Sequence, residues 1–197
     1  MKYVSIDIET TGLDYERCQV LAIGAITEDT LNPQPFHQLR KFRWLIRHEE
    51  LHWEPVARDM NEKLMQEFEN PILGRTFIER PEAVVQMLQM YLQATGFAPE
   101  KDKVRVLAAG KNFSGFDRLF LERLPRFTEL IRLKRRTLDP AMLYTDLLHD
   151  EEPPSLEECK RRAGIEDTTV SHDPLLDAWD IIQVLRPKYG HYNLNPF

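Results

Sequence analysis

Asp7 and Glu9 stand two residues apart in a stretch, Tyr3 to Ile8, that alternates polar and apolar side chains. Successive side chains of a strand point to opposite faces, so these two carboxylates leave the same face with α-carbons about 6.6 Å apart. At a separation of about 6 Å and an effective dielectric near 20 they repel by roughly 3 kcal/mol, which water on an exposed face can screen and a bound cation can offset. Val4, Ile6 and Ile8 fill the opposite face, and the turn Thr10-Thr11-Gly12-Leu13-Asp14 follows at once. The pair is therefore expected at a strand end, pointing into a cleft.

Two further carboxylates lie far away in the chain. On a helix over Ser114 to Leu124, Phe116, Leu119, Phe120, Leu121 and Leu124 form an apolar arc, and Asp117 falls inside it, as does Arg123. A carboxylate so placed needs a hydrogen-bond partner or a cation, since burying an unpaired charge costs several kcal/mol. The plain structural reading is a helix start, with Ser114 as N-cap and Asp117 at the third helical position, and a cap does not exclude metal binding. His172 precedes Asp173-Pro174, a cap followed by a first-turn proline. On the helix that follows, Leu175, Ala178, Trp179, Ile181, Ile182 and Leu185 form the apolar arc, bordered by Asp177, with Asp180 farther toward the polar side. Alone, His172 is an ordinary loop histidine; its four-residue spacing from Asp177 gains meaning from the two carboxylate motifs before it.

Taken together, D-I-E-T-T-G-L (Asp7 to Leu13), N-F-S-G-F-D (Asn112 to Asp117) and H-D-P-L-L-D (His172 to Asp177) resemble, in order and spacing, the three motifs of DEDDh exonucleases. That family contains polymerase proofreading subunits, RNase T and oligoribonuclease. Four residues between Asn112 and Asp117 look closer to oligoribonuclease, whereas the Phe116-Asp117 pair is proofreading-like. The resemblance runs from the first strand to the last helix. It implies a ribonuclease H-like α/β fold and a 3′-to-5′ exonuclease that releases nucleoside 5′-monophosphates from the 3′ end of single-stranded DNA or RNA. It also implies two divalent cations held by Asp7, Glu9, Asp117 and Asp177, with Asp7 shared between them and His172 as general base. Oxygen-only ligation selects Mg²⁺ or Mn²⁺ over structural zinc, and an imidazole of ordinary pKa near 6.5 suits proton transfer close to neutrality.

The backbone around Glu9, Thr10 and Thr11 is expected to receive the terminal nucleotide, with Leu13 as an apolar wedge against its base. Asn112 and Phe116 are further candidates for substrate contact, and Phe113 and Phe116 are candidates for stacking, although aromatic residues near a helix start are more often core. Lys134-Arg135-Arg136 and Lys160-Arg161-Arg162 offer cations for phosphates; either run alone reads first as solvated surface. The rival readings are a degenerate nucleic-acid or polymerase-binding module of the same fold, a metal-dependent phosphodiesterase or endonuclease, and a purely structural acidic domain. A homodimer, or a polymerase or repair partner, is left open by the resemblance.

The elements that must position these residues follow from periodicity and punctuation. Strands are expected at Tyr3 to Ile8, Gln19 to Thr27 and Phe36 to Arg47, joined as an antiparallel meander, then at Val104 to Ala109 and Lys134 to Leu138. Helices are expected at Pro55 to Phe68, Pro81 to Gln93, Ser114 to Leu124, Pro140 to Leu148, Ser155 to Ala163 and Pro174 to Leu185. This gives a mixed five-stranded sheet, three strands antiparallel and two parallel, flanked by helices. At 197 residues one exonuclease domain is expected, with a C-terminal tail from about residue 187 to residue 197. The 42% hydrophobic and 29% charged composition is that of a soluble globular protein, with no apolar run long enough for a membrane span. Without an apolar leader, and with only Cys18 and Cys159, the expected location is cytoplasmic and both thiols are expected to be ordinary. A net charge of -6 argues against bulk coating of nucleic acid, but not against an acidic cleft whose charge bound cations invert.

Overall fold

A computed structural model of the chain describes residues 1–190. The alternating N-terminal stretch forms β1 (Lys2–Thr10), which pairs antiparallel with β2 (Val20–Asp29), itself antiparallel to β3 (Lys41–Ile46). Two short parallel strands complete the main sheet, β4 (Ile78–Glu79) beside β3 and β7 (Ala108–Ala109) beside β1, in the order β4-β3-β2-β1-β7. The expected mixed sheet of five strands is therefore present, a meander with one parallel strand at each edge, although the edge beside β3 is Ile78–Glu79, where no strand is expected, and not Lys134 to Leu138.

Several elements differ in extent from the sequence reading. Phe36–Gln38 is a short 3-10 turn before β3, where Pro35 sets an extended entry. The run Val104 to Ala109 is divided at Leu107, whose carbonyl accepts from the Val4 backbone N–H at 2.9 Å. Its first half belongs to a second small sheet of β5 (Pro99–Glu100), β6 (Lys103–Val106) and β8 (Ile131–Leu133). That last strand lies upstream of the expected Lys134 to Leu138, because Ile131 and Leu133 supply the buried alternation while Lys134, Arg135 and Arg136 are exposed. Leu138 keeps only an isolated parallel bridge to Ala109.

The helices are α1 (Pro55–Met60), α2 (Glu62–Glu69), α3 (Pro81–Ala94), α4 (Asp117–Leu121), α5 (Phe127–Leu130), α6 (Pro140–Tyr144), α7 (Leu156–Arg162) and α8 (Pro174–Leu185). The single helix expected over Pro55 to Phe68 is interrupted at Asn61, and the helix from Pro140 stops at Tyr144 rather than Leu148. One sheet face, Val4, Ile6 and Ile8, packs with Val84, Val85, Leu88 and Leu92 of α3 and with Phe120 and Leu121 of α4. The other face carries Tyr3 and Ile26 against Ala178, Trp179, Ile181 and Ile182 of α8. Helix α8 thus covers the Tyr3 end of β1 and leaves Asp7 and Glu9, farther along the strand, only partly buried. Among the described residues no helix is long and apolar enough to cross a membrane, and both cysteines are buried and free. Of the expected tail, residues 187–190 end a 3-10 turn (Arg186–Tyr189) and Gly190; the remainder lies outside the described residues.

Candidate metal centre

Asp7 pairs across the sheet with Gly24 and Glu9 with Ala22, so the strand beside the two acids presents almost no side chain. The missing side chain has a use: a Cβ on Gly24 would lie 2.1 Å from the carbonyl carbon and oxygen of Pro174 and 2.4 Å from the Leu175 nitrogen. The first turn of α8 therefore rests directly on β2, which brings Asp177 to the acids of β1.

Asp173 caps α8, one carboxylate oxygen accepting from the backbone N–H groups of Leu175 and Leu176 at 2.9 and 3.1 Å. Its other oxygen accepts from Arg43 Nε at 3.0 Å. Arg43, on β3 opposite Gly24, also grips both oxygens of Glu67 on α2 at 2.8 and 2.9 Å. One guanidinium fork thus joins sheet, α2 and the start of α8. Between the cap and the preceding loop, His172 adopts a left-handed φ of 52° and its side chain is exposed. Asp177 is buried, with Oδ1 accepting from the Ser171 backbone N–H at 3.2 Å and its hydroxyl at 3.0 Å. A potential ligand atom from each of Glu9, His172 and Asp177 lies within 4.8 Å of the others.

Asp117 reaches the same place from the opposite side. It is the first residue of α4, not the third, and it is 5% exposed. Ser114 does not cap the helix; its hydroxyl meets that of Thr137 at 3.1 Å. The turn before α4 instead relies on Asn112, at a left-handed φ of 52°.

Electrostatics couple Asp7 and Glu9 to Asp117 and Asp177. Burial, followed by the charges of Asp117, Asp177 and Glu9, raises the Asp7 carboxyl well above the ordinary range. Glu9 is pushed up to about 8 by burial and then by Asp177, Asp173 and Asp117, against a lowering from Arg43. Asp117 is raised to about 7 by burial, opposed by backbone hydrogen bonds at Asp117 and Ile8. Burial also raises Asp177, opposed by its bonds from Ser171. Four partly or fully buried carboxyls, two of which, Asp7 and Glu9, are further raised by the charges of the others, with Arg43 lowering Glu9, form a donor set that fits hard divalent ions.

The architecture matches a solved structure of cell-death related nuclease 4 (CRN-4), with a TM-score of 0.64 and 13% identity over 94% of this chain and 62% of that one. The fold is ribonuclease H-like. This chain spans less than two thirds of the length of that structure. No family model matches the sequence, and no curated protein matches it. Within the ribonuclease H-like fold, the acids sit at the end of the first strand, where the sheet emerges from beneath its last described long helix.

The remaining sequence-derived candidates divide by what their side chains touch. The Thr10 hydroxyl donates to the Gly12 carbonyl at 2.7 Å, and that of Thr11 donates to Gln19 Oε1 at 3.1 Å, so both hold the loop in shape. Leu13 is 76% exposed, and its backbone N–H is held by Glu54 Oε2 at 2.9 Å. Asn112 is exposed, with its backbone N–H on Asp139. Phe113 is fully buried, while Phe116 is partly buried with its ring 5.0 Å from that of Phe120. Lys160-Arg161-Arg162 is not a free basic run. Lys160 is buried on Asp180 at 2.7 Å, Arg162 is bound to Asp150 and Glu158, and Arg161 pairs with Glu158. Asp180 accordingly faces inward rather than toward the polar side, and burial raises it to about 6.

Arg43, Glu54, Asn61 and Gly24 escaped the sequence reading. A glycine inside the apolar run Gln19 to Thr27 was the available signal, because such a glycine marks a close backbone approach. Arg43, Glu54 and Asn61 act through residues distant in sequence, and nothing local marks them.

Proposed function

We propose that this chain is a divalent-metal-dependent 3′-to-5′ exonuclease that removes nucleoside 5′-monophosphates from single-stranded nucleic acid. The observation that carries this reading is the grouping of Glu9, His172 and Asp177 within 4.8 Å, from two distant stretches, with Asp7 and Glu9 also feeling the charge of Asp117 from a third. The likeness to a nuclease structure supports the same reading at the level of fold.

Asp7, Glu9, Asp117 and Asp177 would hold two ions of Mg²⁺ or Mn²⁺. When bound, such ions supply positive charge beside the scissile phosphate and make a water more acidic. The chain's own residues do the rest. His172, exposed at the rim and next to Glu9 and Asp177, takes the proton of the attacking water. The Ser171 bonds hold Asp177 in place, and Asp173, braced by Arg43, caps the helical turn that follows the imidazole. Leu13, projecting from a loop pinned by Glu54, stacks against the terminal base; Thr10 and Thr11 shape that loop; Asn112 and Phe116 border the opposite wall.

The deciding experiment incubates the purified chain with Mn²⁺ or Mg²⁺ and single-stranded DNA or RNA labelled at either end. Mononucleotide release from the 3′ end, abolished by a blocked 3′ terminus and absent on circular strands, is the expected result. Cutting of circles would point to an endonuclease. Divalent uptake without any cleavage would favour a degenerate binding module, and no uptake would leave only a structural acidic domain.

A further inference from the structure

One edge of the cleft carries cations that the fold does not neutralise. Lys134, Arg135 and Arg136 are exposed, and among the described residues their side chains meet no carboxylate. By contrast Arg43, Arg118, Arg162 and Arg186 each do. The basic run is nevertheless fixed in place. Lys134 N–H donates to the Val106 carbonyl at 2.9 Å, Leu138 N–H to the Ala108 carbonyl at 3.0 Å, and Thr137 meets Ser114 at 3.1 Å. Arg118, next to Asp117, reaches the Lys134 carbonyl at 3.5 Å. The three cations therefore lie beside the turn that delivers Asp117.

The edge continues across α4. Exposed Arg123 donates to the Glu16 carbonyl at 3.4 Å, which places it against the loop bearing exposed Arg17. In that loop Tyr15 is 37% exposed and stands edge-on to Phe120, ring centroids 6.4 Å apart. Carboxylates on this edge include Glu16, which is exposed, Asp14, which braces the loop through the Glu16 N–H, Glu122, which is occupied by Arg118, and Asp139, whose oxygens accept from the Asn112 and Ala141 N–H groups. Five cations with no carboxylate partner among the described residues, in a chain of net charge -6, are a local reversal of sign. An exposed ring among fixed cations, leading to a site for one phosphodiester, suits a polyanion with a base at each step.

We propose that this edge carries the phosphates of a single strand on the 5′ side of the bond cut, so that the substrate is an oligonucleotide of several residues rather than a dinucleotide. The proposal rests on the exonuclease reading for the position of the 3′ end. It is tested with the full chain and 5′-labelled DNA and RNA strands from a dinucleotide to about twelve nucleotides. KM should fall at least about tenfold from the shortest to the longest strand, and in a K134A/R135A/R136A variant most of that gain should vanish, with the salt slope of binding smaller by about 2. An Arg135→Lys, Arg136→Lys variant should keep the length dependence, and a melting curve for each variant separates lost contact from lost fold. Anisotropy in EDTA measures strand binding apart from cleavage. Cleavage with a KM independent of length, or a length dependence untouched by the triple substitution, overturns the proposal and leaves the nuclease reading standing. No cleavage at any length, with strands still bound and bound less well by the triple variant, overturns the nuclease reading while the basic edge keeps its ligand.

Discussion

Asp7 is opposed in its ionised form first by burial and then by the charges of four acids, Asp117, Asp177, Glu9 and Asp173. A residue kept for stability would not be placed so, because both burial and neighbouring charge oppose its ionised form. Asp7→Asn should therefore abolish cleavage and weaken Mn²⁺ binding, yet raise the melting temperature of the metal-free protein at pH 8 by removing a carboxyl that burial and its neighbours oppose. Calorimetric Mn²⁺ titration and thermal melting check the two halves, and a variant that unfolds would mean the carboxylate serves the fold. His172 stands differently. It is exposed, at a left-handed φ, and its ring reaches the site from the rim. His172→Ala should cut turnover by about 10² to 10⁴-fold, the span of general-base catalysis, with divalent binding largely retained. Single-turnover cleavage beside the same titration measures this, and full activity would remove His172 from the mechanism.

At the scale of elements, the site depends on how closely α8 lies on β2. Gly24→Ala would drive a methyl group into the Pro174 carbonyl and the Leu175 nitrogen, which are backbone and cannot swing aside. The helix must shift, so a loss of about 1 to 3 kcal/mol in denaturant unfolding is expected, together with reduced Mn²⁺ affinity as Asp177 moves. Arg43→Gln removes the fork that ties Asp173 and Glu67; with these partners partly exposed, about 2 kcal/mol is expected. Arg43→Lys should recover only part of the turnover, because an ammonium cannot span Glu67 bidentately and still reach the cap. If lysine restores full activity, Arg43 contributes charge alone. The same elements show what a sequence displays and what it hides. β1 and α8 were legible because each carries a single clean period ended by a cap or a turn, and Asp117 stood out as an acid on an apolar arc. The break between α1 and α2 was not, since it is made by Asn61 donating to the Thr10 carbonyl at 3.1 Å, a contact across 51 residues. Nor was the inward turn of Asp180, which depends on Lys160 of α7.

For the molecule as a whole, the acids that build the site work against the fold that holds it. Asp7 and Asp177 are raised, Asp117 stands at about 7 and Glu9 at about 8, against unfolded values near 4. Between those limits the folded chain binds more protons than the unfolded one, so stability falls as pH rises. The contribution is fully present below about pH 4 and is lost as pH passes through about 7 to 8. An opposite limb lies in acid, where Arg162 holds Asp150 down to about 2, and its contribution disappears as pH falls from about 4 toward that value. Metal-free protein should therefore melt highest in mildly acidic buffer and lower toward pH 8.5. A divalent cation competes with the same protons, so its stabilisation must grow over the window in which the metal-free protein weakens. Melting curves in EDTA and in millimolar Mn²⁺, from pH 5 to 8.5, test this directly. A shift that widens with pH and is smaller in Asp7→Asn places the ion among these carboxylates. An equal shift at every pH would place it on groups already ionised at pH 5, and the raised acids of β1, α4 and α8 would then not be the ligands.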